Sequence, residues 1–412
     1  MKMKKLAFIS LVTSLCFGSA HAITYEEVMS IAEKNATNIK LTEKDIEKTE
    51  YQLKEAKGNI LPSLLLTGTY TRWDPNYISG FTPKNQYSVK AGLTQKIFDY
   101  QIFSLIKLSK VSVETQQVIK EDVKQKVKDT ARRLFLLSLL NKEIVKIKEE
   151  NLKYWQENYK YIEAKYKEGL LAKYDFMRAS SQLQSAIADY ESSKANYEKS
   201  VEDLKRFLML EDITPPEGQL TQLIPDVDTS KIEDNTEIKV LKAQLKLADY
   251  QIDYQKAANY PSLSAFLNYQ ANNQRNFPVG NEIWKKGYNL GLSLNWQLFD
   301  GFAKDSRVLQ AKVDKSKYEI QLQDKIKEVK TQITKTLIDL KALQTQLQAE
   351  KSNIEVSKES MRLSTERFKA NITNLLEVLE SQTNYQNANL NYLNVLYNYN
   401  IKVFDLMNLL GK

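Results

Sequence analysis

Between Tyr288 and Phe299 the chain alternates with a period of two. Tyr288, Leu290, Leu292, Leu294, Trp296 and Leu298 share one face, and Asn289, Gly291, Ser293, Asn295 and Gln297 the other. Alternation over about twelve residues predicts a strand close to the length that a tilted strand needs to cross a bilayer. The first half of the chain repeats the pattern, with Tyr87, Val89, Ala91, Leu93 and Ile97 set against Ser88, Lys90, Gly92, Thr94 and Lys96. Leu64 to Arg72 and Leu263 to Ala271 supply partner strands, with Thr67, Thr69, Thr71, Asn268 and Gln270 on the polar side. Two hairpins are therefore expected, with strands at about 64–72, 86–98, 263–271 and 288–299. The stretches between partners, Trp73 to Gln86 and Asn272 to Gly287, are polar and read as long loops.

A second pattern has a helical period. Leu322, Ile326, Val329, Ile333, Leu337, Leu340, Leu343 and Leu347 step by threes and fours, which makes a narrow packing seam with Lys, Glu, Asp and Gln around it. The seam lies in a proline-free stretch from Phe302 to Arg367, and Gln101 to Lys165 is a second such stretch. A helix of this size reaches about 100 Å at 1.5 Å per residue. It cannot fold back into a globule and needs partners of matching length. Two shorter helical segments stacked end to end, Thr24 to Lys57 and Lys173 to Leu210, come to roughly that length.

The two halves follow one plan. Pro62-Ser63-Leu64 returns as Pro261-Ser262-Leu263, Phe98-Asp99 as Phe299-Asp300, and Tyr166-Lys167 as Phe368-Lys369. Residues 23–210 and 236–412 thus read as tandem copies, joined by a linker at 211–235 that holds Pro215, Pro216, Gly218 and Pro225. Pro62 and Pro261 cannot continue a helix, so they suit the passage from helix to strand. Asp99 and Asp300 stand where strand gives way to helix, and can cap free backbone N–H groups there.

Composition narrows the function. Residues 1–22 have a signal-peptide pattern, with Lys2, Lys4 and Lys5, an apolar stretch from Leu6 to Phe17, and the small-x-small site Ala20-His21-Ala22. Leu15 stands where lipid attachment to Cys16 would need a small residue. Cleavage removes the one Cys and the one His, and with them a Ser-His-Asp triad, a cysteine nucleophile or a His/Cys zinc site. No cofactor and no enzymatic activity are expected. The formal charge of +8 falls to +5 without the three signal lysines and is spread over 27% charged residues, with no basic stripe for nucleic acid. No apolar run long enough for a transmembrane helix follows residue 22, so a membrane could be entered only as a β-barrel. Four strands are too few to close one, since about eight is the usual minimum. Several chains would have to pool their strands, and three would give twelve.

In these features the chain resembles the TolC family of outer-membrane efflux proteins. The tandem plan, the Pro-Ser-Leu start of each first strand and Leu298-Phe299-Asp300-Gly301 after the last carry the resemblance. So do the turns Tyr166-Lys167-Glu168-Gly169-Leu170-Leu171 and Phe368-Lys369-Ala370-Asn371-Ile372-Thr373, followed by Asp175 and by Glu377-Val378-Leu379-Glu380. The resemblance implies a mainly α fold with a transmembrane β-barrel: a homotrimer with a twelve-stranded barrel, four strands per chain, and an α-helical coiled-coil tunnel in the periplasm. It implies a passive exit duct of a Gram-negative outer membrane, in contact with its lipid and serving tripartite efflux or type I secretion. The expected partners are a periplasmic adaptor and an inner-membrane transporter.

Two sets of residues follow from the resemblance. The adaptor would dock on Gly169, Leu170, Leu171, Asn371, Ile372 and Thr373. Asp175, Arg178, Glu377 and Glu380 would line a pore constriction, with Asp175 equivalent to Glu377 and Arg178 to Glu380 at an offset of 202 residues. Arg178 and Glu380 could then alternate around the mouth as ion pairs. One well-studied member of the family latches this mouth with a Tyr and an Arg of the second turn, at positions held here by Phe368 and Thr373. The rival expectation is an exported coiled-coil stalk or adhesin without a pore. It accounts for the helices but not for two membrane-length hairpins.

Overall fold

A computed structural model describes residues 23–78, 80–225, 229–276 and 279–411. The expected signal segment 1–22, with Cys16, lies outside the described residues. The first half runs α1 (Tyr25–Asn35), α2 (Thr37–Gly58), β1 (Ser63–Arg72), β2 (Asn85–Asp99), α3 (Tyr100–Lys167) and α4 (Lys173–Leu208). The second runs α5 (Thr236–Ala257), β3 (Ser262–Arg275), β4 (Glu282–Asn295), α6 (Ala303–Lys369) and α7 (Leu375–Leu409). The long helices α3 and α6 have 68 and 67 residues without a break. Of the expected α6 seam, Val329, Ile333, Leu340 and Leu347 are buried and the other four half-buried. Asp99 Oδ1 accepts from the backbone of Gln101 at 3.1 Å, and Asp300 Oδ2 from that of Lys304 at 3.0 Å, so both acids cap the helices that follow them.

The described residues fall into two compact units, to each of which α3 and α6 contribute. One comprises the chain to Ala36 with Lys128–Ile224 and Asp339–Phe404; the other comprises Thr37–Val127, Pro225–Ile338 and the residues from Asp405 onward. In the first, the expected single helix over Thr24–Lys57 is broken at Ala36, which has φ −54° and ψ 127°. Neither proline nor glycine marks this break. Asn35 Nδ2 instead reaches the carbonyl of Leu208, at the end of α4, at 3.4 Å. The second unit holds the counterpart, Asn235 Nδ2 donating to the carbonyl of Leu409 at 3.1 Å. Each copy thus satisfies one orphan carbonyl of a helix end with an Asn that precedes another helix.

In the second unit all four strands form one antiparallel sheet in the order β1-β2-β3-β4. The expected hairpins are therefore joined through β2 and β3. Strand β4 also begins six residues earlier than expected and ends at Asn295, so Trp296 to Phe299 leave the ladder. Pairing continues to Arg275–Glu282, so 272–275 and 282–287 of the expected loop 272–287 belong to strands. Lys285, Lys286 and the residues around them are polar enough to read as loop, yet the neighbouring strand carries them in register. A side chain explains how the sheet extends this far. Main-chain pairing of β2 with β3 stops at Ser88–Asn272. There the buried Asn273 takes over, accepting from Tyr87 N at 2.6 Å and donating to Asn85 O at 2.7 Å.

The register aligns whole rows. Leu64, Leu93, Leu267 and Leu290 stand side by side across the four strands, followed by Leu66, Ala91, Tyr269 and Tyr288. On the opposite face Leu65, Gly92, Asn268 and Asn289 align, then Thr67, Lys90, Gln270 and Gly287. One face is thus apolar and one mainly polar. The apolar face is left bare: Leu64 is 76% and Leu290 72% exposed.

Candidate functional site: the helical turns and the sheet

The two turns of the first unit share one backbone geometry. Gly169 adopts φ 74° and Asn371 φ 59°. Leu170 N donates to Lys165 O at 2.9 Å and Gly169 N to Tyr166 O at 3.0 Å, while Ile372 N donates to Arg367 O at 2.8 Å and Asn371 N to Phe368 O at 3.0 Å. This is the Schellman arrangement that ends a helix, and the left-handed residue it needs is Gly in one copy and Asn in the other. The apolar residue that follows usually folds back on the helix; here Leu170 and Ile372 are 63% and 67% exposed. Leu171 is turned inward instead, against a cluster built on Ile162, Ala179, Phe368, Leu375 and Val378. Tyr166 stacks on Phe176 in the same region, with ring centroids 4.9 Å apart.

The acidic positions differ from one another. Glu377 is held inside its own turn: Arg367 Nη1 lies 2.7 Å from its Oε1, the Thr373 hydroxyl donates to its Oε2, and its N–H donates to Asn374 Oδ1 at 3.1 Å. Glu380 is exposed, and neither it nor the Asp175 carboxylate has a partner among the described residues. Arg178 meets no carboxylate; its guanidinium lies 5.5 Å from the Tyr174 ring centre and donates to the Tyr174 hydroxyl at 3.3 Å. Phe368 is buried against Tyr161, with ring centroids 6.3 Å apart, so it serves the core of the turn. Sequence reasoning missed Arg367, whose equivalent in the first copy, Lys165, lies instead near the Tyr161 ring and Glu168. It also drew nothing from Asn400, which is fully buried and binds the segment after α4 through Leu223 N at 2.9 Å and Thr221 O at 2.8 Å.

Among the described residues no helix is long and apolar enough to cross a membrane, and no cluster of His, Cys, Asp and Glu could hold a metal ion. The candidate membrane surface is the sheet. Its bare leucine rows are bordered by Tyr70, Tyr87 and Trp284 toward the hairpin tips, and by Trp296, Tyr260 and Tyr100 toward the helices. Aromatic borders of this kind match those of membrane barrels.

The family described as outer membrane efflux protein matches residues 28–208 and 230–412. The chain belongs to this family. It is accordingly an outer-membrane channel, an exit duct of the Gram-negative cell envelope, and its single-chain fold of long helices and a four-stranded sheet is the TolC-like one. Solved structures of similar fold include a membrane protein from Pseudomonas aeruginosa, at 16% identity and TM-score 0.79, covering 94% of this chain and 90% of that one. The Campylobacter jejuni CmeC outer membrane channel follows at 18% identity and TM-score 0.78, covering 94% and 85%. The Vibrio cholerae outer membrane protein VceC gives 12% identity and TM-score 0.76, covering 94% and 96%. No protein of curated function matches significantly.

Proposed function

We propose that three copies of this efflux protein pool their strands into a twelve-stranded barrel, and their helices into a coiled-coil tunnel through the periplasm. The observation that carries this is the sheet. Among the described residues β1 and β4 each pair on one side only, and the apolar face is bare. An open edge and an uncovered leucine face are costly in water. In a closed barrel the edges pair with neighbouring chains and the leucines meet lipid. The tandem division into 23–210, linker 211–235 and 236–412 belongs to the same reading. It is supported by the matching turns and the matching Asn contacts of the two copies.

The turns would receive a periplasmic adaptor, which in turn engages an inner-membrane transporter. Leu170 and Ile372, exposed at equivalent positions, are the apolar anchors for adaptor hairpins, with Gly169, Leu171, Asn371 and Thr373 shaping the surface around them. Asp175, Arg178, Glu377 and Glu380 would line the constriction, where concentrated negative charge favours cations. Since Phe368 is committed to the core and Thr373 to Glu377, the closed state would rely on Arg178 and Glu380 of adjacent turns. Detergent extraction followed by planar-bilayer recording tests the whole: a conducting trimer is expected. A soluble, non-conducting rod would favour the stalk reading.

A further inference from the structure

The polar face of the sheet is mostly basic. Over the four strands this face carries Lys90, Lys96 and Lys285, and its only acid among the described residues is Asp99. Asp99 is already matched to Lys96 at 3.3 Å. Lys90 and Lys285 are exposed and have no acidic partner among the described residues.

These two lysines occupy adjacent rows, Thr67-Lys90-Gln270-Gly287 and Thr69-Ser88-Asn272-Lys285. The other members of these two rows are hydroxyl, amide and glycine residues, which can donate to an anion or leave space for it. The Lys90 stem lies along the sheet toward the row of Gly92, its Cε 3.8 Å from where a side chain would start there, and that row is on the far side from Lys285. Two strands and one row separate the lysines, about 12 Å between backbones from the strand spacing and rise. Lysine stems are long and rotate freely, so a turn of Lys90 toward the Lys285 row lets both ammonium groups meet one multivalent solute.

We propose that Lys90 and Lys285 form a cationic collar inside the barrel that binds multivalent anions, such as solutes bearing several phosphate, sulfonate or carboxylate groups. The inference rests on the trimeric duct reading, in which this face lines the lumen. Three chains then bring six ammonium groups to two neighbouring levels of a narrow, low-dielectric passage, where like charges reinforce one another. The collar is opposite in sign to the proposed acidic mouth, so the duct would greet anions on its barrel side and cations on its tunnel side.

The test uses the full protein in planar bilayers with inositol hexakisphosphate as probe. Protein added to one compartment inserts barrel first, because the polar helices cannot cross the bilayer, so the opposite compartment faces the collar. The probe is expected to block from that compartment at concentrations at least tenfold lower than from the tunnel side, and less strongly as salt rises. The double variant K90Q/K285Q should raise the half-blocking concentration at least tenfold with unblocked conductance within about twofold, and K90R/K285R should keep the block. Equal block of the parent and the Gln variant, or block by spermine in place of the anion from that side, would overturn the collar and leave the duct standing. A chain that forms no conducting pore would overturn both.

Discussion

Arg367 and Glu377 face each other at 2.7 Å across the second helical turn, and the repeat makes no such pair in the first. The ion pair is half exposed on both sides, which limits it to about 0–1 kcal/mol. Its consequence is electrostatic: Glu377 is already paired with Arg367, whereas Glu380 and Asp175 are unpaired among the described residues and would act on the proposed constriction. Replacing Glu380 with Gln should therefore lower cation selectivity more than replacing Glu377 with Gln. Reversal potentials across a potassium chloride gradient measure this, and a larger loss with E377Q would refute the ranking.

The exposed pair Leu170 and Ile372 predicts where adaptor affinity resides. The double variant L170D/I372D should weaken adaptor binding at least tenfold, since buried apolar anchors at interface centres carry most of the energy. Its trimer should remain intact on size-exclusion chromatography, because neither side chain packs in the turn core. Unchanged affinity in surface plasmon resonance would move the docking site elsewhere.

Asn273 stands in for main chain where β2 and β3 part. Replacing it with Ala leaves the Tyr87 N–H without its acceptor, at a cost of about 1–3 kcal/mol for a buried donor. Hydrogen exchange at Tyr87 should quicken by ten- to a hundredfold, with the leucine rows toward the helices still protected. Uniform loosening of all four strands would show that the Asn acts on the whole sheet.

A pH effect follows from the charged network at the start of α5. Burial alone would raise the Glu237 pKa, but hydrogen bonds and charge from Lys325 and Lys126, each 3.2 Å away, outweigh burial and hold it below the ordinary value. A lowered folded-state pKa stabilises the fold above the unfolded value of about 4.3, and that stabilisation is lost as pH falls through the folded value. E237Q should thus lower Tm slightly at neutral pH and match the parent chain in acid. A gap in Tm that persists or widens below the carboxylate range would contradict the sign.

Much of this architecture was legible because it rests on periodicity and on repetition. The α6 seam from Leu322 to Leu347 and the alternation around Leu290 are simple consequences of helix and strand geometry, and two copies of each boundary signal reinforced them. What escaped was tertiary. Lys285 and Lys286 read as loop until a neighbouring strand is there to pair with them. The break at Ala36 goes with Asn35 reaching the end of α4, a contact 173 residues away in sequence. The turns were visible as Gly169 and Asn371, yet the Arg367–Glu377 pair depends on how two helices approach.

The central claim is that three chains share one barrel, and its most direct test is ring closure by disulfides. Within one sheet β1 and β4 are three strand spacings apart, about 14 Å, beyond the reach of a disulfide. Cysteine at Thr67 combined in turn with cysteine at Asn289, Gly291 or Ser293 can therefore link only different chains. Oxidation of the membrane-embedded protein should give, for at least one pair, a covalent species of three chains and nothing larger on a denaturing gel. A ladder running past three chains, or no link from any pair, would contradict the closed trimeric barrel.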